Sequence, residues 1–218
     1  MQRRVLSDCL LPSDCWSGTL RGVYCDQLPH WVVDYGCYSL MLRCRGSLPK
    51  SVVLRLSEIA QNQKEMVVNC EQALEQQRRS FYILESYLHQ SQGFAPFSVG
   101  SVRGAFSQYL QQYEVAGLRF RYWVIMPNHL HLLTEPLSCE SIECFKGALK
   151  QFKLRTTHML NQALSRRGSL WQAHWYDRWV RNEVEYRRWR VYFRQNPIKA
   201  GLCHRAEDWI GLQVGDLL

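Results

Sequence analysis

The sequence predicts an α+β fold, an antiparallel sheet backed by helices, on three observations. Two strand-like segments, Leu118–Ile125 and His129–Glu135, are separated only by Met126-Pro127-Asn128, which reads as a hairpin. A third, Tyr38–Arg45, alternates Leu40, Leu42 and Cys44 with Ser39, Met41 and Arg43, the two-residue period of a strand. Helical patterns are interspersed with these strands, and that mixture is the signature of helices packed on a sheet.

In chain order, residues 1–26 show no clean period and read as a poorly ordered or loosely packed arm. Gly46-Ser47-Leu48-Pro49 stops the first strand. From Ser51 to about Gln90 the chain is rich in Glu, Gln and Leu and reads as two helices. A loop at Ser91-Gln92-Gly93 and Ala95-Pro96 precedes a helix over Ser101–Tyr113. Leu118–Ile125 carries the aromatic and β-branched residues that strands favour. From Ser141 to about Ser165, Phe145, Leu149, Phe152, Thr156 and Met159 form one helical stripe, and Lys146, Lys150 and Lys153 another. Trp175–Val180 reads as a short strand. Asn182 caps a last helix to about Gln195, with Glu183 and Glu185 well placed in its first turn.

Composition bounds the function. The chain has 218 residues, enough for one good core, and 46% are apolar. No apolar run reaches the roughly 20 residues that span a bilayer, and Asp8 and Asp14 interrupt any secretory signal. A cytoplasmic protein without membrane contact is expected. The net charge is +8. Residues 1–100 hold 10 basic and 9 acidic side chains, whereas 101–218 hold 17 and 10. Clustered positive charge suits a polyanion such as a nucleic acid, although a solvated basic face has the same composition. The nine cysteines include no CxxC pair, match no zinc finger, and read as reduced thiols.

Three constellations can carry chemistry. His129 and His131, two apart on a strand, face the same side and can chelate one divalent ion; alone, such a pair is as readily a hydrogen-bonded structural feature. Tyr192 and Asn196, four apart on a helix, share a face, and Pro197 places Asn196 at the helix end with its amide oxygen available. The plain alternative is a packed aromatic and a cap. The segment Leu170–Arg178 is dense in aromatics and reads as a mixture. One reading has its aromatics stack bases and its arginines hold phosphates, the other has core tryptophans with an Asp–Arg pair at the rim, and Arg178 and Arg181 are the better candidates for DNA contact. Zinc held by His129, His131 and Cys139 or Cys144 is a competing arrangement.

The strings Leu28-Pro29-His30-Trp31, Ser47-Leu48-Pro49, Trp123 through His131, Leu170-Trp171-Gln172, Tyr176-Asp177-Arg178 and Tyr192 through Leu202 together resemble the HUH single-tyrosine transposases. Within them the chain resembles the REP-associated tyrosine transposase group, of the insertion-sequence two-hundred type. The resemblance runs in order from about Gln27 to Ile210. It implies a ferredoxin-like or RNA-recognition-like HUH nuclease fold over residues 27–212, with a helical insertion at about 46–96. It implies His129, His131 and Asn196 as ligands of a Mg or Mn divalent cation and Tyr192 as nucleophile. It implies metal-dependent cleavage and rejoining of single-stranded or hairpin DNA through a 5′-phosphotyrosine, by a monomer or homodimer, in a bacterial-type, nucleoid-associated setting. Lys146, Lys150, Lys153, Arg178, Arg181 and Arg188 are the expected DNA contacts. A catalytically decayed binding protein of the same fold is the alternative; a purely structural partner-binding protein leaves the ordered motifs unexplained.

Overall fold

The computed structural model describes residues 16, 18–25, 29–64 and 70–215. Its centre is a five-stranded antiparallel sheet in the order β6-β3-β5-β4-β7. These strands are β3 (Cys37–Arg43), β4 (Phe120–Ile125), β5 (His129–Thr134), β6 (Tyr176–Val180) and β7 (Leu212–Gln213). A separate antiparallel pair, β1 (Thr19–Cys25) and β2 (Pro29–Asp34), precedes it. The helices are α1 (Lys50–Lys64), α2 (Cys70–His89), α3 (Gly100–Gln112), α4 (Ile142–Ala163) and α5 (Glu183–Lys199).

All six residues of β5 are buried, because helices cover both faces of the sheet. On one face Leu40, Leu42, Leu130 and Leu132 pack with Phe106 of α3 and with Phe145, Leu149 and Phe152 of α4. Burying each such side chain contributes roughly 1.5–3 kcal/mol. Of the stripe expected on α4, Phe145, Leu149, Phe152 and Thr156 are buried and Met159 is half-buried; Thr156 is hydrogen-bonded by the Trp171 indole at 2.8 Å. Register follows from this apolar face: Leu40 pairs Leu132 and Leu42 pairs Leu130, which puts Met41 opposite His131 and Arg43 opposite His129 on the other face. That second face is covered by α5, through Tyr186 and Phe193, and by α2, through Phe81 and Leu88.

Ser141 caps α4 by accepting from Cys144 N at 3.1 Å, and Asn182 caps α5 by accepting from Glu185 N at 2.8 Å. Three expectations are corrected. Residues 1–15 lie outside the described residues, but Thr19–Cys25, read as part of an arm, is a strand paired to β2. A register shift between Leu20 and Gly22 breaks the two-residue period that would have marked it. Helix α5 does not stop before Pro197; it runs through Pro197 to Lys199, with Ala200 N bonding Asn196 O at 3.0 Å. The propensity of the residue before proline yields here to packing, since Asn196 and Pro197 are both buried. Finally, Asp177 and Arg178 do not pair. They point to opposite faces of β6, Asp177 bonding His30 and the Trp175 indole and Arg178 bonding Glu185. Among the described residues no helix is long and apolar enough to cross a membrane.

Candidate active site

The His pair lies on β5, buried between α2 and α5. Its members are 0% and 1% exposed, and their rings stand 4.9 Å apart, edge to face. Leu130 points the other way into the core. Helix α5 brings Tyr192 over the pair, with its ring 5.3 Å from that of His131. One turn later it brings Asn196, buried. Tyr192, His129, His131 and Asn196 therefore lie together, the grouping that the family resemblance implied.

Helix α2 closes the arrangement from above, and sequence reasoning missed it. Phe81, Glu85 and His89, spaced four apart, form one stripe aimed at the site. The Phe81 ring lies 6.1 Å from His131 and 6.2 Å from Tyr192. Glu85 Oε1 is 3.1 Å from His131 Nε2 and accepts from Asn196 Nδ2 at 3.3 Å. His89 Nε2 lies 2.8 Å from Asn196 Oδ1. The spacing of this stripe was visible. Its chemistry was not, because a Glu among many Glu and Gln residues looks like a solvated helix.

Glu85, His129 and His131 offer ligand atoms that all lie within 4.8 Å of one another. Burial pushes the His129 imidazole well below its ordinary pKa, and His131 and His89 push it further; a neutral imidazole is the form that binds metal. His129 Nδ1 shares a 2.7 Å hydrogen bond with Asn128 Oδ1, while His129 Nε2 is buried without a partner. An orphaned buried nitrogen costs free energy unless something occupies it, so these residues fit a divalent ion. Burial alone would raise the Glu85 carboxyl. Its hydrogen bond with His131 and the charges of His131 and His89 hold it below the usual carboxylate range. The alternative thiol set is not assembled: Cys139 packs with the leucines on the opposite face of the sheet. Cys37, Cys44, Cys139, Cys144 and Cys203 are free thiols.

A cleft of about 1030 Å³ opens beside the pair. His131 and Tyr192 form part of its wall, and Phe81, Tyr176 and Trp189 line it as well. Arg79, Arg178, Arg181 and Arg188 also line it, against one acidic side chain, Glu185, which holds Arg178. The three arginines expected to meet DNA thus stand at the site. The three lysines do not. They ride on α4, across the sheet, where Lys146 sits 4.0 Å over the Tyr24 ring and Lys150 is exposed. Lys153 is tied down, donating to Gln172 O at 2.6 Å and Ala173 O at 2.5 Å. Burial lowers its pKa to about 8.

No family model matches the chain. Over 88 residues it is 28% identical to a REP-associated tyrosine transposase of Escherichia coli (strain K12), a match covering 40% of this chain and 48% of the relative. The chain thus spans about half the length of the curated relative it matches. The similarity to REP-associated tyrosine transposases expected from the motifs is found in that alignment. A solved REP-associated tyrosine transposase bound to a REP hairpin superposes with a TM-score of 0.40 and 14% identity, over 83% of this chain and 77% of that one.

Proposed function

We propose that the protein is a metal-dependent single-stranded DNA endonuclease and transesterase, acting through a 5′-phosphotyrosine at hairpin or palindromic sites. The observation that carries this reading is the convergence of Tyr192 on a buried histidine pair in which His129 Nε2 has no partner. A phenol has a pKa of about 10 and is a weak nucleophile unless its target is activated. His129 and His131, with Asn196 beside them, would hold a Mg or Mn ion, whose chemistry is to withdraw charge from the scissile phosphate and orient it.

The chain's own residues do the rest. The arginines along the cleft bind the backbone, and the aromatic walls offer faces on which unpaired bases stack. Tyr192 Oη bonds to phosphorus as the bond to the 3′ oxygen breaks. The phenol loses its proton, and the 3′ oxygen takes one up to leave as a hydroxyl. A phosphodiester is exchanged for a phosphotyrosine ester, so a second 3′-hydroxyl reverses the step and joins strands without a nucleotide triphosphate.

The second reading is a non-catalytic binding protein, and one observation favours it: Tyr192 Oη is buried without a hydrogen-bond partner. A denaturing gel separates the two. With Mn and labelled hairpin oligonucleotides from the DNA flanking its own gene, the wild type should give a covalent protein–DNA band and Tyr192→Phe none. A gel shift without a covalent band in either protein selects the binding-only reading.

A further inference from the structure

We propose that Glu85 is a direct ligand of the metal, so that the α1–α2 hairpin turns a two-histidine site into a site of two imidazoles and one carboxylate. The inference rests on the metal part of the reading above and not on the nicking reaction. The segment expected to be an insertion between the first strand and the rest of the fold would then be part of the metal centre itself.

Four observations carry it. First, the Glu85 carboxylate is only 6% exposed and its oxygen is 3.1 Å from His131 Nε2, within one cluster with the orphaned His129 Nε2. A buried carboxylate is costly unless a cation compensates it, and a divalent ion between these three atoms does so. Second, Asn196 is already engaged. Its oxygen faces His89 Nε2 at 2.8 Å and its amide nitrogen donates to Glu85 at 3.3 Å. That geometry makes Asn196, the third ligand implied by the resemblance, a positioning residue for Glu85 instead, and leaves the carboxylate as the third protein ligand. Third, α2 also orients His129. Asn128 Nδ2 donates to Leu88 O at 3.0 Å, and Asn128 Oδ1 then accepts from His129 Nδ1 at 2.7 Å, which leaves Nε2 as the ligand atom. Such outer contacts fix tautomer and ring direction in metal sites. Fourth, Phe81, Glu85 and His89 recur every four residues along α2. The helix therefore addresses the tyrosine, the metal cluster and the asparagine with one face.

The donor set fixes the class of ion. Mg strongly prefers oxygen ligands and retains its waters. Two imidazole nitrogens and one carboxylate instead suit Mn, Fe(II), Co or Zn. The added negative charge also lets the site hold its ion before any nucleic acid supplies a phosphate oxygen.

The test is calorimetric titration of the DNA-free protein with Mn, and separately with Mg, for wild type, Glu85→Gln, Glu85→Asp and Asn196→Ala. Wild type should bind Mn well above Mg. Glu85→Gln keeps the size of the side chain and should weaken Mn binding by about 10–100-fold, the scale on which a metal site loses affinity when its supports are removed. It should also shrink the preference for Mn over Mg. Glu85→Asp, which keeps the charge, should fall between the two, and Asn196→Ala should cost less than Glu85→Gln. Circular dichroism checks that each variant is folded. Wild-type affinity in Glu85→Gln, or a larger loss in Asn196→Ala than in Glu85→Gln, overturns the assignment. Intact Mn binding in a protein that never forms the covalent DNA product would sink the nicking reaction and leave Glu85 where it is.

Discussion

Side by side on β3 and β5 run two rows of residues one position apart. Leu40, Leu42, Leu130 and Leu132 face α3 and α4. Met41, His129 and His131 face α2 and α5. The first row lies in the large apolar core and is explained by burial. The second meets a tyrosine, an asparagine and a carboxylate, and leaves His129 Nε2 and Tyr192 Oη without partners. The same backbone register serves both, so the leucines determine where the histidines point. A slip of one residue in β5 would exchange the two rows. The unsatisfied groups also cost stability that only the packed face can offset, and this is the arrangement expected where a fold carries a ligand site.

The largest expected effect breaks the second face alone. His129→Ala removes the buried ligand nitrogen and should abolish metal-dependent covalent product, while its circular dichroism stays that of the wild type. The Leu130 and Leu132 row that sets the register is untouched. Full cleavage by this variant would remove the histidine pair from the chemistry. The next effect breaks the first face alone. Phe152 of α4 is 1% exposed and packs edge to face on Phe120 of β4. Phe152→Ala should cost about 3–5 kcal/mol in denaturant unfolding, yet leave Mn affinity unchanged in buffer where the chain is still folded. An Mn affinity that fell with stability would show that the faces are coupled through the sheet.

The two faces also differ in how far they could be read in advance. The packed face was legible because period alone reports it: the Phe145, Leu149, Phe152 and Thr156 stripe is the one that is buried. Spacing paired His129 with His131 on a strand and Tyr192 with Asn196 on a helix, but only the family resemblance joined the two pairs into one site. Glu85 was not legible, because its role depends on α2 folding back over a strand more than 40 positions away. Helix length at Pro197 was misjudged because a local preference was weighed without the burial that overrides it. The lysines of α4 were grouped by helical spacing, but spacing cannot say which side of a sheet a helix will cover.

The smallest expected effect is on the salt dependence of DNA binding, and it asks which side of the sheet the nucleic acid meets. Arg181 and Arg188 are both exposed and line the cleft beside Tyr192. Each phosphate that a side chain no longer neutralises flattens the slope of log affinity against log salt by about 1. Changing both arginines to Ala should therefore lower the slope by about 2 and weaken binding to every sequence alike. Lys146 and Lys150 lie across the sheet, and Lys146 directs its charge at the Tyr24 ring. Changing both to Ala should shift the slope by less than either arginine does. Lys153 is left out of that pair because its ammonium already donates to two backbone carbonyls, and with a pKa near 8 it is no constant countercharge. Should the lysine pair instead flatten the slope as much as the arginine pair, DNA must pass over both faces. The α4 face would then be a binding surface as well as a packed core, and the division of labour between the two sides of the sheet would fail.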